Sequence, residues 1–594
     1  MKTDFANAVR QLAPTFEGEL HVDAKMRQVY ATDASVYQQV PAAVAIPKTV
    51  EDLQRLVGLS QQTGVGLIPR TAGTSLAGQV VGSGVIVDVS RYFTNIIEIN
   101  PAEQWVRVEP GVVRDELNLV LADHGLMFGP ETSTSNRAMI GGMVGNNSCG
   151  SNSIVYGSTR EQTMSVRGVL SDGSLAEFGP LEPEELQQLG EANSPLLADQ
   201  ILVGMYALLN DPEIRQEIIR EFPKPSIHRR NTGYALDRLI DCNAYGEEGP
   251  PFNPCQLIAG SEGTLLLITE IKLRCHPLPP SQSAVQCVHF DSLDQALQAT
   301  RLAMRYQPYA CELIDRLLVE GARRNLEQSE NLQFIQGDPA AILATELRGE
   351  TDAEIRQQFD SLEKELRDAS LGTAYPVLFG DEARRVWSLR KAGLGVVSNL
   401  PGDYKPVAVI EDTAVDLADL PAYIAEFGRD IQKRHQISCV HYAHAGSGEL
   451  HLRPVLNLKS REGRRSFRQI ATDMAELVQR YKGSLSGEHG DGRLRSEFIE
   501  RMVGPRNYNV MRQIKSLWDP NHLLNPKRIV DPPPMDEQLR FEADPIQSQP
   551  STLFDFQSTR GMLGAAELCS GSGDCRKSAL MGGTMCPSYM ATRN

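Results

Sequence analysis

The chain of 594 residues contains no apolar run of about 18 residues, so nothing in it reads as a membrane span. Its opening stretch, MKTDFANAVRQLAPTF, lacks the apolar core of a secretory signal, and a cytoplasmic protein is expected. Peripheral contact with the inner membrane is compatible with both observations. Positive charge is scarce, with 59 Lys and Arg against 75 Asp and Glu, a net charge of −16. That balance argues against a nucleic-acid partner, because a phosphate backbone calls for a basic face. It leaves room for one local basic pocket around a small anion. Cysteine is sparse too. Seven of the 10 are scattered singly from Cys149 to Cys439 and read as buried free thiols in a reducing compartment. The loop Pro69–Gln79 has neither G-x-G-x-x-G nor G-x-x-x-x-G-K, so it is neither a nicotinamide Rossmann turn nor a P-loop. Histidine numbers only 11, yet three fall between His441 and His451.

What is present is ordinary globular material, 41% hydrophobic and 23% charged, in a chain long enough for several domains. The first 40 residues read as a helical segment followed by a loop. From TVEDLQRLVGLSQQTG onward, amphipathic helices alternate with short strands such as GLIPR, GVIVDVS and WVRVEPG up to about residue 280. The proline-rich HPLPPSQS marks a boundary there. Residues 281–530 alternate strands such as AVQCVHF, AAILATELRG and KPVAVIEDTAV with long helices, as in a sheet covered by helices. Residues 531–568 are polar and proline-containing, which predicts a linker, and 569–594 hold the remaining cysteines.

Three small-residue loops follow one another in the first half. They are PRTAGTSLAGQ, the long run GPETSTSNRAMIGGMVGNNSCGSNSIVYGSTREQ, and LIAGSEGTLLLITEIKL. Glycines let a backbone approach a ligand closely, and successive N–H groups and hydroxyls can ring a pyrophosphate. In order and spacing these loops resemble the flavin-binding domain of the vanillyl-alcohol oxidase family. The resemblance implies an α+β fold, with a two-subdomain FAD-binding domain over 41–280 and a sheet-and-helix substrate (cap) domain after it. It places Arg70, Thr71, Ala72, Gly73, Thr74 and Ser75 around the FAD pyrophosphate. Pro130, Ser133, Gly141, Gly142, Asn146 and Ser148 line the rest of the dinucleotide, with Glu262, Gly263 and Ile268 near the adenine and ribose. The first loop has no histidine or cysteine, so the FAD is expected to be non-covalent.

In HYAHAGSGELHLRP, the alternation of GELHLRP reads as a strand entered from a glycine-rich turn, with His444 and His451 at its two ends. WSLRKAG, KPVAVIEDTAV, HAGSGELHLRP and SGEHGDG together resemble the C-terminal half of D-2-hydroxyacid dehydrogenases in the same family. Chemistry at C2 of a hydroxy acid needs the hydroxyl proton removed as a hydride leaves for flavin N5. His444, His451 and Glu488 supply a two-imidazole, one-carboxylate site for a divalent metal, zinc or manganese, and His489 is the candidate base. Arg390 and Lys405 match positions that hold a carboxylate in D-2-hydroxyglutarate dehydrogenases. Two departures stand out: Leu394 where the family has an assisting threonine, and LNPKR where it reads Asn-Pro-Gly-Lys, which leaves Asn525 to approach the flavin.

The tail CSGSGDCRKSALMGGTMCPSYMATRN carries Cys569, Cys575 and Cys586, the last followed by proline. Clustered cysteines with a final Cys-Pro resemble an iron–sulfur segment, and the chain resembles large bacterial fusions of a flavin unit with an iron–sulfur region. A 4Fe-4S cluster, incomplete in this stretch, is expected, with a quinone or electron carrier as acceptor. A zinc knuckle or free thiols is the alternative reading of Cys569, Cys575 and Cys586. The function expected is FAD-dependent oxidation of a D-2-hydroxy acid, D-2-hydroxyglutarate foremost. D-lactate or glycolate is the alternative substrate, and a non-catalytic assembly subunit the alternative role. A homo-oligomer is compatible with all of these.

Overall fold

The computed structural model describes residues 4–246, 248–398, 402–544 and 550–582. Three larger sheets organise them. The first grows from a strand–helix–strand unit. Ala43–Ile46 is buried at every position, the signature of a strand covered on both faces. It runs parallel to Val85–Asp88, which runs parallel to Leu67–Arg70. The crossover helix Val50–Thr63 starts where the Thr49 side chain accepts the Asp52 N–H, and stops at Gly64, whose φ of 72° suits glycine. Glu19–His21 adds an antiparallel outer strand. The sequence predicts only helix and loop there, because three half-buried residues are too few to show a period. The helices themselves are Phe5–Leu12 and Ala24–Val29.

The second sheet is antiparallel, in the order Ile96–Asn100, Trp105–Val108, Leu267–Arg274, Thr163–Val169, Leu175–Phe178. Its connections carry the glycine-rich segments. The third sheet has eight strands. Its main path runs Val377–Phe379, Gln282–Phe290, Ala341–Gly349, Ala310–Asp315, Cys439–His444, Glu449–Leu456, Lys405–Pro406, with Thr413–Ala414 also on Glu449–Leu456.

Register in this third sheet decides what meets. Leu313 is opposite Ala443, and Tyr442 is opposite His451. Side chains alternate along a strand, so Glu312, Tyr442, His444, Glu449, His451 and Arg453 all leave one face. The other face carries Cys311, Leu313, Ala443, Leu450 and Leu452 into the main core, under helices Leu293–Ala303, Asp352–Asp368 and Arg461–Arg480. On the polar face, helices Arg316–Arg323 and Gly380–Ser398 pack over an apolar half that includes Ile314 and Val440. The charged half is left to the site.

KPVAVIEDTAV, predicted as one strand, is strand only at its two ends. Asp412 between them has φ 80°, and its carboxylate accepts the N–H groups of Glu488 and His489, both at 2.8 Å, and the Ser486 hydroxyl at 2.6 Å. The middle of the segment holds another loop instead of a sheet partner. The predicted linker also departs from a free tether. The Tyr37 hydroxyl donates to the Met535 carbonyl at 2.6 Å and the Arg540 N–H to Val36 at 2.7 Å, which draws 531–544 along the first half.

Candidate active site

The loops following Arg70, Phe128 and Ala259 converge on one cavity. Its lining includes Arg70, Thr71, Ala72, Gly73, Thr74, Ser75, Ser133, Gly141, Gly142, Asn146, Ser148, Glu262, Gly263 and Ile268. Pro130 and Asn525 stand outside it. The Pro130 carbonyl accepts from Arg114 Nε at 2.9 Å. Asn525, at φ 36°, donates to the carbonyls of Gln79 (3.0 Å) and Glu262 (2.6 Å) and so ties two cavity loops together.

The cavity fits a dinucleotide. Among the described residues, no backbone N–H from Thr71 to Ser75 finds a protein acceptor. A Cβ on Gly142 would stand 2.5 Å from Thr71 Oγ1, and one on Gly263 2.2 Å from Pro69 Cγ. Loops this close, stripped of side chains and rich in unused donors, suit a pyrophosphate. Leu53, Val87 and Leu266 give apolar wall for flat rings. Cys149 also lines the cavity; burial pushes its thiol well above the usual range, which leaves it unreactive.

A second cavity opens beside the first and shares Leu76, Thr132, Ser133, Cys149, Glu488 and His489 with it. Here three imidazoles meet one carboxylate. Glu488 Oε1 lies 3.3 Å from His444 Nε2, 3.5 Å from His451 Nε2 and 3.3 Å from His489 Nε2. Ligand atoms of His444, Glu449, His451 and Glu488 all lie within 4.8 Å of one another. Glu449 Oε1 is buried without a hydrogen-bond partner. Imidazole nitrogens and carboxyl oxygens converging on one point, one of those oxygens orphaned, fit a divalent cation. Burial, then the neighbouring His444 and His489, holds the His451 pKa well below the usual imidazole range. Burial opposes the Glu488 charge, but Arg229 and His444 outweigh it and hold this carboxyl well below its usual range.

Further side chains fix these groups. Glu312, fully buried, accepts from His444 Nδ1 at 2.8 Å and from Arg390 Nε at 2.9 Å, which leaves His444 Nε2 for the cluster. Arg229 Nη1 contacts both Glu449 and Glu488, the latter at 2.9 Å. His489 Nδ1 lies 3.2 Å from Glu411, which pairs in turn with Arg453. Burial opposes the Glu411 charge, yet Arg453 and His489 take its pKa down to about 2. Burial likewise opposes the His489 cation, but Asp412 and Glu411 outweigh it and raise its pKa well above the usual value.

The cavity beside the imidazoles gathers four cations, Arg348, Arg390, Lys391 and Arg453, with Glu131 and Glu346 also on its wall and Arg348 paired to Glu346. Lys405 is not among them. It pairs with Leu456, three positions beyond Arg453, so alternation sends it to the opposite face of the sheet. There Asp403, Lys459 and Glu567 surround it, and burial lowers its pKa against the pull of Glu567. The Leu394 side chain and Cys586 lie outside the described residues. Cys569 and Cys575 are exposed. The segment 572–576 rests on the first cavity: Arg137 Nε donates to Ser572 O at 2.7 Å, Arg576 Nη2 donates to Ala72 O at 2.7 Å, and Ser572 joins the lining.

Glu312, Arg229, Glu411, Glu449 and Arg453 were not singled out from sequence. Glu449 and Arg453 had a signal, since they occupy the same alternate positions of GELHLRP as His451. Glu312 is the lone carboxylate inside the buried strand Ala310–Asp315 that precedes its terminal Asp. Arg229 sits in an irregular loop with no period to reveal it.

Residues 41–179 match the FAD binding domain model, and 279–529 match the model of the FAD linked oxidases, C-terminal domain. The chain is 32% identical to the D-2-hydroxyglutarate dehydrogenases of Haemophilus influenzae and Escherichia coli, over 98% of its own length in each case. It spans 56% and 57% of those two proteins, little more than half their length. The glycolate oxidase subunit GlcD of Bacillus subtilis is 23% identical over 85% of this chain and 92% of its own. Among solved structures, 4-ethylphenol oxidase from Gulosibacter chungangensis superposes with a TM-score of 0.62 at 16% identity, covering 89% of this chain and 97% of that one. With both domains in order, similarity along nearly its whole length and a shared fold, the chain belongs to the FAD-linked oxidase family.

Proposed function

We propose that the chain is the flavin- and metal-binding part of a D-2-hydroxyacid dehydrogenase, with D-2-hydroxyglutarate as its foremost substrate. The observation that carries the reading is the convergence of His444, His451, His489 and Glu488 on one point where the FAD cavity meets the cavity that gathers four cations. FAD supplies the hydride acceptor, and a divalent ion among His444, His451 and Glu488 supplies the Lewis acid that lowers the pKa of the substrate hydroxyl. The protein's own groups do the rest. Glu411 beside Nδ1 orients the His489 ring with Nε2 toward the cluster, and with a divalent ion held beside it to offset the pull of Asp412 and Glu411, Nε2 would be free to take the hydroxyl proton. Arg390, anchored by Glu312, offers a planar donor to the C1 carboxylate. Thr132 and Ser133, in both linings, close the junction between the cavities. The substrate loses the hydroxyl proton and the C2 hydride and leaves as the 2-oxo acid.

The tail supports an electron exit through an iron–sulfur group built on Cys569, Cys575 and Cys586, because Ser572 between the first two touches the FAD cavity. A D-lactate or glycolate substrate is the second reading. It draws on the 24% identity to the cytochrome-linked D-lactate dehydrogenase 1 of Saccharomyces cerevisiae, and on the likeness to glycolate oxidase. Anaerobic mixing with a panel of D- and L-2-hydroxy acids tests both. Bleaching of the flavin by D-2-hydroxyglutarate ahead of D-lactate and glycolate is expected. A flavin that no 2-hydroxy acid bleaches would leave the non-catalytic assembly subunit as the reading.

A further inference from the structure

The cation that a second carboxylate needs is in the site, but on a different strand from the one the sequence points to. Arg453 is 3% exposed and lines the cavity beside His444, His451 and His489. One of its terminal nitrogens faces Glu411, while its Nε is buried without a hydrogen-bond partner. A guanidinium has five donors in a rigid fork, so the contact with Glu411 leaves capacity for a second anion. An unpartnered buried donor is unfavourable, and a bound carboxylate would relieve it.

Geometry agrees with this. Arg453 stands two residues from His451 on the same face of the same strand, an offset of about 7 Å. The carboxyl carbons of an extended five-carbon diacid lie roughly 5 Å apart, four carbon–carbon bonds in a zigzag. Arg390 and Arg453 flank one ring: their guanidinium carbons lie 5.1 Å and 6.0 Å from the centre of Tyr442. Arg390 is tied through Glu312 to His444, which places it at the C1 end. That leaves Arg453 for the far end. Resting on the 2-hydroxy-acid reading above, we propose that Arg453 binds the distal carboxylate of a dicarboxylic substrate, and that Lys405 takes no part in choosing it.

The test is a binding titration on the FAD-loaded protein, read as perturbation of the flavin absorbance. The probes are 2-oxoglutarate and 2-oxopentanoate, which share five carbons and differ by one carboxylate. Wild type should prefer the diacid by about 30-fold or more, the worth of a charge-assisted contact. Arg453→Lys keeps a charge against Glu411 but loses the fork, and should shrink that preference about 10-fold. Lys405→Met should leave it within about twofold, as expected of a group outside the cavity. Equal weakening of both ligands in Arg453→Lys would make Arg453 a positioning residue for Glu411 and overturn the proposal. So would loss of the preference in Lys405→Met, or a wild type that binds both acids alike. If Arg453→Lys does not fold, the pair Arg453→Met with Glu411→Met removes both charges together, and the same preference is read on it. A wild type that prefers 2-oxoglutarate, yet whose flavin no 2-hydroxy acid reduces, would sink the reaction while Arg453 keeps its assignment.

Discussion

Glu312 places one carboxylate oxygen on His444 Nδ1 and the other on Arg390, so a single buried side chain sets both the proposed metal ligand and the proposed substrate-binding cation. Partners of this kind fix the tautomer and raise the basicity of a ligating imidazole. Glu312→Gln should therefore weaken metal retention about 10- to 100-fold with the flavin content unchanged, as read by metal analysis after dialysis against graded chelator. Full retention of metal would remove Glu312 from this role. His444→Ala and Glu488→Ala should go further and abolish both metal and flavin reduction while FAD supplied in excess still fills its cavity, because the Asn146 tie to the FAD loops runs through the Glu488 carbonyl, which both variants keep. Active wild-type protein without metal would defeat both expectations. His444 and His451 were legible from sequence because GELHLRP alternates, and His489 because SGEHGDG resembles a segment of the D-2-hydroxyacid dehydrogenases. Glu312 and Arg229 were not, since each acts across strands or loops far away in the chain. Glu449 and Arg453 lie between these cases. The alternation that marks His451 marks them equally, but a carboxylate and a guanidinium on a strand read first as solvent-facing, and burial is invisible in one strand.

At the scale of elements, the segment 405–415 is the most informative. Its apolar residues predict one continuous strand, and the chain instead spends Asp412 on a loop 76 residues away, where the N–H of Glu488 and that of His489 and the hydroxyl of Ser486 point at one carboxylate. This is an N-cap-like arrangement that shapes a loop before a very short helix, and it aims Glu488 and His489 into the cavity. Asp412→Ala strands buried donors and should cost about 3 kcal/mol of stability. The expected signature is a lowered Tm together with weaker metal binding, while Asp412→Asn restores part of both. A Tm unchanged in Asp412→Ala would show that the loop holds its shape unaided. Of the first-half strands, Leu67–Arg70, Val85–Asp88 and Trp105–Val108 were legible because helices and turns, such as Val50–Thr63 with Thr49 and Gly64 at its ends, frame them, whereas the three-residue Glu19–His21 was not. Lys405 was misplaced for a related reason. Position in a motif says which strand a residue is on, but face depends on register, and register against Glu449–Leu456 is a long-range fact.

For the whole molecule, the FAD cavity and the histidine–glutamate cluster are fastened by shared hydrogen bonds. Asn146 Nδ2 donates to the Glu488 carbonyl and Gln79 Nε2 to the His489 carbonyl, each at 2.7 Å. Glu262, at φ 55°, accepts the N–H groups of Asp491 (2.7 Å) and Gly492 (2.9 Å). Asn146 and Glu262 line the FAD cavity themselves, so the loops that hold the dinucleotide also hold the backbone that presents Glu488 and His489. FAD should come away on acid precipitation, since the first loop has no nucleophile and the Cys149 thiol is kept protonated by burial. Removing it under milder conditions then becomes a probe of coupling. Loss of FAD loosens the loops around Asn146 and Glu262, and metal affinity should fall about 5- to 150-fold, the span of an ordinary coupling between sites. By reciprocity, stripping the metal from the intact protein should weaken FAD by the same factor. Asn146→Ala should lower both affinities and shrink the coupling, because it cuts the contact with the Glu488 carbonyl. Metal affinity that is identical with and without FAD would mean that the two halves act as independent bodies, and the hydrogen bonds across them would carry no energy between the sites.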